Sequence, residues 1–168
     1  GAYVRRRWGA DRLTALGWKF KWIDLGWGPL PWLGAVCTQL VVAAAVLLLD
    51  IPLSSNVDSA TDLDTDRAYL IATLVTAVIA APVIEELVYR GLFWSALEKR
   101  GMDPWAILIV TSAVFAVIHL ELVRTPVLFV VGLAIGVGRL RTGRIGASIL
   151  VHMLINSLAM VSTLVELA

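Results

Sequence analysis

Five long apolar segments parted by short charged connections constrain this 168-residue chain more than any other feature of its sequence. They run from about Pro31 to Leu49, Ala68 to Leu97, Pro104 to Leu120, Pro126 to Leu140 and Ile145 to Val165. A helix needs roughly 20 apolar residues to cross the hydrocarbon of a bilayer. Only 16% of the residues are charged, where an ordinary soluble domain carries roughly 25%. The pattern predicts an all-α integral membrane protein: one membrane domain over residues 1–168, built as a bundle of about five transmembrane helices. The second segment is too long for a perpendicular span and contains Pro82. Tilt, a kink or an extension out of the bilayer is expected there.

Residues 1–30 differ from the rest. Arg5, Arg6, Arg7, Arg12, Lys19 and Lys21 alternate with Trp8, Trp18, Trp22 and Trp27, and no apolar core follows that would make a secretory signal. Leu13, Leu16, Phe20 and Ile23 recur at helical spacing, which predicts an amphipathic helix lying in the lipid headgroup region. Positive charge also fills the connections at Lys99 and Arg100 and at Arg139, Arg141 and Arg144. The intervening connection at Asp50, Asp58, Asp62, Asp64 and Asp66 is acidic. The excess of Lys and Arg places the N-terminal segment in the cytoplasm and the C-terminus outside. The partner implied is a lipid bilayer and not nucleic acid. A lone cysteine, Cys37, excludes an intramolecular disulfide and reads as a small buried hydrophobe. The chain opens at Gly1 within a basic stretch, which suits a sequence whose upstream spans have been removed.

An ionisable group inside an apolar span costs at least about 2.5 to 3.5 kcal/mol and marks a functional position by default. Only a few qualify: Glu85, Glu86 and Arg90 in the second segment, His119 ending the third, and His152 with Asn156 in the fifth. Glu86 and Arg90 lie four apart on one helical face and can pair. Glu85 has no opposite charge at that spacing, its i+4 neighbour being Tyr89. A carboxylate beside a second carboxylate in a poorly hydrated place is suited to taking up and returning a proton. Phe115 precedes His119 by four residues, so ring and imidazole share a face; taken alone, a histidine at a helix end is more often a satisfied interfacial residue. His152 and Asn156 are likewise four apart, aligned either as neighbouring donors or as an interhelical clamp. Gly132 and Gly136 show the small-x-x-x-small spacing that lets helices approach closely.

Glu85-Glu86-Leu87-Val88-Tyr89-Arg90, then Phe115-Ala116-Val117-Ile118-His119, then His152-Met153-Leu154-Ile155-Asn156 resemble, in order, the motifs of the CPBP (CAAX protease and bacteriocin-processing, Abi) intramembrane proteases. The resemblance covers about residues 68–160. It implies a multi-pass protein of the bacterial cytoplasmic membrane that hydrolyses a hydrophobic or lipidated peptide near the cytosolic face. Glu85 would activate water with His119, and His152 and Asn156 would stabilise the oxyanion. Glu86, Arg90, Phe115 and Tyr89 would support them. No metal is favoured; Glu85, His119 and His152 would form the alternative zinc site. A non-proteolytic scaffold or bacteriocin-immunity protein using the same cluster for binding is the competing reading.

Overall fold

The computed structural model describes residues 16–27, 67–166 and scattered positions between 33 and 48, and among these all regular structure is helical. A short helix, α1, covers Trp22–Trp27. A continuous helical run, α2, occupies 67–98 and is followed by α3 (Pro104–Ile118), α4 (Thr125–Thr142) and α5 (Ile145–Glu166). Each apolar segment from residue 68 onward is thus occupied by one helix. The expected span at 31–49 lies mostly outside the described residues; its described positions are helical and largely exposed, Cys37 included, so that cysteine is not covered by its own chain.

Local sequence sets the helix ends. The side chain of Asp103 accepts from the backbone N–H groups of Trp105 and Ala106 at 2.9 and 3.3 Å, with Pro104 supplying the first helical residue, whose missing N–H would have had no partner anyway. Proline also opens α4. Within α2 the hydrogen bonding widens twice to a π pattern, at Thr76–Ala80 and Leu87–Phe93, on either side of the α-helical turn Ala81–Glu86 that holds Pro82 and both glutamates. Single π turns of this kind concentrate at functional sites.

The N-terminal segment departs from its expected form. Residues 16–21 make a turn and irregular chain rather than an amphipathic helix, and among the described residues of this segment Trp22–Trp27 alone is helical, residues 1–15 lying outside them. Gly17 takes a left-handed φ of 70°, which ends any helix there, and its carbonyl accepts from Lys19 N and from Ile145 N at 2.8 and 2.9 Å. Asp24 reaches back to the N–H of Lys21 at 2.9 Å, satisfying a donor at the start of α1. The same carboxylate, fully buried, binds the guanidinium of Arg144. Burial pushes the Asp24 carboxyl up, but the hydrogen bonds from Arg144 and Lys21 outweigh it and hold it below its ordinary value; Asp24 in turn raises Arg144. A carboxyl depressed by folding stabilises the fold above its ordinary range and loses that contribution as pH falls through the depressed value. The segment is thereby fastened to the turn between α4 and α5.

Helix α4 packs between α3 and α5 because its glycines serve both neighbours. A Cβ at Gly132 would meet Ser112 Cβ at 3.1 Å and Phe115 Cδ1 at 3.2 Å, both on α3, and one at Gly136 would meet Leu108 Cδ1 at 2.4 Å. Gly138 faces α5, where a Cβ would meet the backbone nitrogen of Ser148 at 2.9 Å. The interior holds Tyr89, Phe115, Val131, Ile135, Val151 and Ile155, with a second cluster of Trp94, Leu97, Ile107 and Leu108.

These contacts rank two substitutions. Leu108 presents the flexible end of a side chain to Gly136 and can yield, whereas Ser148 presents backbone to Gly138 and cannot. Gly138→Ala is expected to cost about 1–3 kcal/mol of stability and Gly136→Ala clearly less, measured by thermal unfolding in detergent; equal losses would contradict this packing.

Candidate active site

The site begins with a charge that has no water to lean on. Glu86 and Arg90, both fully buried on α2, pair through Oε1 and Nη1 at 2.9 Å. One bond does not satisfy a guanidinium, and the second arm, Nη2, donates to the carbonyl oxygen of Gly132 on α4 at 2.6 Å. Lacking a side chain, Gly132 lets α4 lie close against Ser112 and Phe115 on α3, and its carbonyl serves Arg90 as the acceptor. Arg90 also stands over the ring of Phe115, 5.1 Å from its centroid.

Glu86 Oε1 has another partner. His152 Nδ1, on α5, lies 3.0 Å away, inside hydrogen-bond range. A carboxylate paired with arginine accepts, so Nδ1 carries the proton and donates. The remaining nitrogen, Nε2, is then an acceptor in the neutral ring and a donor in the imidazolium. Nε2 faces Glu85 Oε2 at 3.9 Å, too far for a direct hydrogen bond. Glu85 Oε2 is itself buried without a protein partner, although the side chain as a whole keeps 29% of its exposure. The imidazole is therefore held between two carboxylates, anchored by one and open toward the other.

Aromatic rings set the spacing of the two histidines. Phe115 lies edge-on to His152 with centroids 5.6 Å apart and tilted against His119 at 4.6 Å, so it stands between the imidazoles; Tyr89 meets Phe115 edge-on at 5.6 Å. His119 donates from Nδ1 to its own Phe115 carbonyl at 2.7 Å. A carbonyl can only accept, so Nε2 of His119 is left with a lone pair in the neutral ring. Among the described residues no hydrogen bond joins His119 to Glu85.

Asn156 reaches the site for a reason that lies in α2. Its Nδ2 donates to the carbonyl of Ala77 at 2.8 Å. In the π stretch the N–H of Ala81 bonds to Thr76 O, and the corresponding donor for Ala77 O would be residue 82. That residue is proline and has no N–H. Asn156 thus supplies, from another helix, the donor that Pro82 cannot, and keeps one amide hydrogen spare.

The structure brings Glu85, Glu86, Arg90, Tyr89, Phe115 and His152 into one contiguous group, with His119 behind Phe115 and Asn156 one turn beyond His152. Two further groups, the carbonyls of Gly132 and Ala77, went unforeseen; Pro82 followed by a partnerless asparagine was the only signal for the latter. Among the described residues no three His, Cys, Asp or Glu side chains are grouped to hold a metal ion; Glu85 and His152 face each other, and Phe115 packs against both imidazoles.

Against known proteins, residues 67–158 match the family model described as type II CAAX prenyl endopeptidase Rce1-like. The chain is also 33% identical over 131 residues to an uncharacterized 24.3 kDa protein of Escherichia coli, covering 74% of this chain and 59% of that relative's length. No solved structure matches it.

The Pro82 argument is open to a double-mutant cycle. Asn156→Leu should destabilise the protein by about 1–3 kcal/mol, the cost of a buried carbonyl left unpaired. In a Pro82→Ala background, where residue 82 regains its N–H, the loss should shrink; thermal unfolding giving the same loss in both backgrounds would refute the account.

Proposed function

The chain belongs to the Rce1-like, type II CAAX prenyl endopeptidase family, and on that premise we propose that it is a membrane-embedded peptidase that cleaves a hydrophobic or lipidated peptide near the cytosolic face. The observation that carries this is the imidazole of His152, fixed by Glu86 and turned toward a partnerless oxygen of Glu85. Proton transfer and oxyanion stabilisation both need such a pre-set arrangement.

Placement in a bilayer is supported by what the helices leave uncovered. Ile71–Glu98 has a mean hydropathy of 2.0, yet only 11% of its most apolar window is buried in the protein. The core helix of a soluble protein would be mostly covered by its own chain; here Ile79, Ile84, Val88 and Leu92 face outward. Thr125–Thr142 is also long and apolar enough to cross. Orientation is supported by the contact of the basic N-terminal segment with Arg144, which puts two of the cationic regions at one end of the bundle.

In the proposed reaction a water rests beside the gap between Glu85 Oε2 and His152 Nε2. A molecule about 2.8 Å from both atoms would see them at an angle of roughly 90°, near its own bonding angles. Glu85 takes a proton from this water as its oxygen attacks the scissile carbonyl carbon, while His119 stacks behind Phe115, the ring that walls the site. Charge then develops on the carbonyl oxygen. His152, as the imidazolium, and the spare N–H of Asn156 donate to it. Collapse breaks the C–N bond, and Glu85 returns its proton to the departing amine. Glu86 and Arg90 touch no reacting atom in this scheme; they position His152.

Replacing Glu85 with Gln keeps the shape and removes the base. Cleavage of a hydrophobic reporter peptide by the reconstituted Glu85→Gln variant should fall about 10²–10⁴-fold with its unfolding temperature unchanged, and wild-type cleavage should survive chelation of zinc. Undiminished cleavage by the variant would remove Glu85 from the chemistry; stoichiometric zinc lost together with activity would replace the proposed mechanism.

A further inference from the structure

A cleft of about 290 Å³ opens between the N-terminal segment and α5, lined by Phe20, Lys21, Trp22 and Leu150. Its walls are seated on the bundle. The backbone of Lys19 and the ring of Phe20 lie so close to Gly146 that a Cβ there would meet Lys19 O at 2.9 Å, and Gly17 O accepts from Ile145 N. The aromatic residues at the rim are unusually bare for apolar side chains: Trp22 is 89% exposed and Phe20 54%. Lys19 and Lys21 are exposed beside them, and the single carboxylate among residues 16–27, Asp24, is buried and engaged by Arg144. The mouth of the cleft is therefore cationic and aromatic. Below it, Leu150, Leu154 and Val161 follow at helical spacing on the uncovered side of α5, opposite the buried Val151, His152 and Ile155.

We propose that this cleft binds one anionic phospholipid, with the phosphate on Lys21, the glycerol region between Phe20 and Trp22, and an acyl chain lying along α5 over Leu150 and Leu154. The volume is at the lower end of small-ligand pockets and takes a headgroup but not the chains, which continue over the apolar stripe. Charge selects the lipid: phosphatidylcholine brings its own ammonium up to Lys21, whereas the anionic phosphatidylglycerol does not. The site rests on the bilayer placement proposed above but not on peptide hydrolysis, so it is read by lipid retention and not by cleavage.

The test is native mass spectrometry of the full chain in detergent, titrated with phosphatidylglycerol or phosphatidylcholine. Phosphatidylglycerol should be retained preferentially, and Lys21→Gln should weaken that retention about fivefold while leaving phosphatidylcholine binding alone. Leu150→Trp, which fills the cleft with both lysines intact, should weaken it as well, and millimolar inorganic phosphate should not displace the lipid. Equal retention of the two lipids would overturn the site while leaving a membrane-resident protein. Unchanged binding by both variants, or displacement by inorganic phosphate, would overturn it too.

Discussion

Everything at the centre of this molecule depends on one buried ion pair. Glu86 and Arg90 are fully enclosed, where an unpaired charge would cost several kcal/mol. The pair is tolerable because two other helices add hydrogen bonds to it: the Gly132 carbonyl on α4 takes the second arm of the guanidinium, and His152 on α5 donates to the carboxylate oxygen that Arg90 also binds. Three helices are thus joined through four groups. Removing any one of them would strand a charge or a donor among apolar side chains, so the relative placement of α2, α4 and α5 follows from electrostatic necessity as much as from shape.

The same necessity gives the site its chemistry. Nδ1 of His152 is committed to Glu86, which fixes where the other nitrogen points and leaves Glu85 as the neighbour with an unanswered oxygen. Phe115 then separates the two imidazoles. A second instance of one helix completing another occurs at Ala77, whose carbonyl is deprived by Pro82 and answered by Asn156. That bond ties α5 to α2 one turn away from His152. In the proposed mechanism a structural debt of the backbone and a catalytic donor are met by the same amide.

How much of this was legible in the sequence varied with the kind of interaction. Helix positions followed from the apolar runs and from Pro104 and Pro126 at their starts, because these act within a single turn of chain. The Glu86–Arg90 pair was legible for the same reason, and the Gly132/Gly136 spacing announced close packing without saying against which helix. Contacts made by backbone carbonyls were not legible, since Gly132 O and Ala77 O carry no residue signature; nor were the two π stretches of α2. Over residues 16–21 the expected N-terminal helix gives way: the spacing of Leu16, Phe20 and Ile23 is real, but Gly17 in a left-handed turn and the bonds of its carbonyl to Lys19 and Ile145 override it there.

The pinning of His152 by Glu86 can be observed without any assay of cleavage. The chain has two histidines, so ¹⁵N-histidine labelling yields two rings, separable with a His119→Gln variant. Nitrogen NMR of the reconstituted protein should show His152 Nδ1 carrying a proton, and Glu86→Gln should shift that resonance while leaving His119 in place. A neutral His152 protonated only at Nε2, or a spectrum indifferent to Glu86→Gln, would contradict the account at its root.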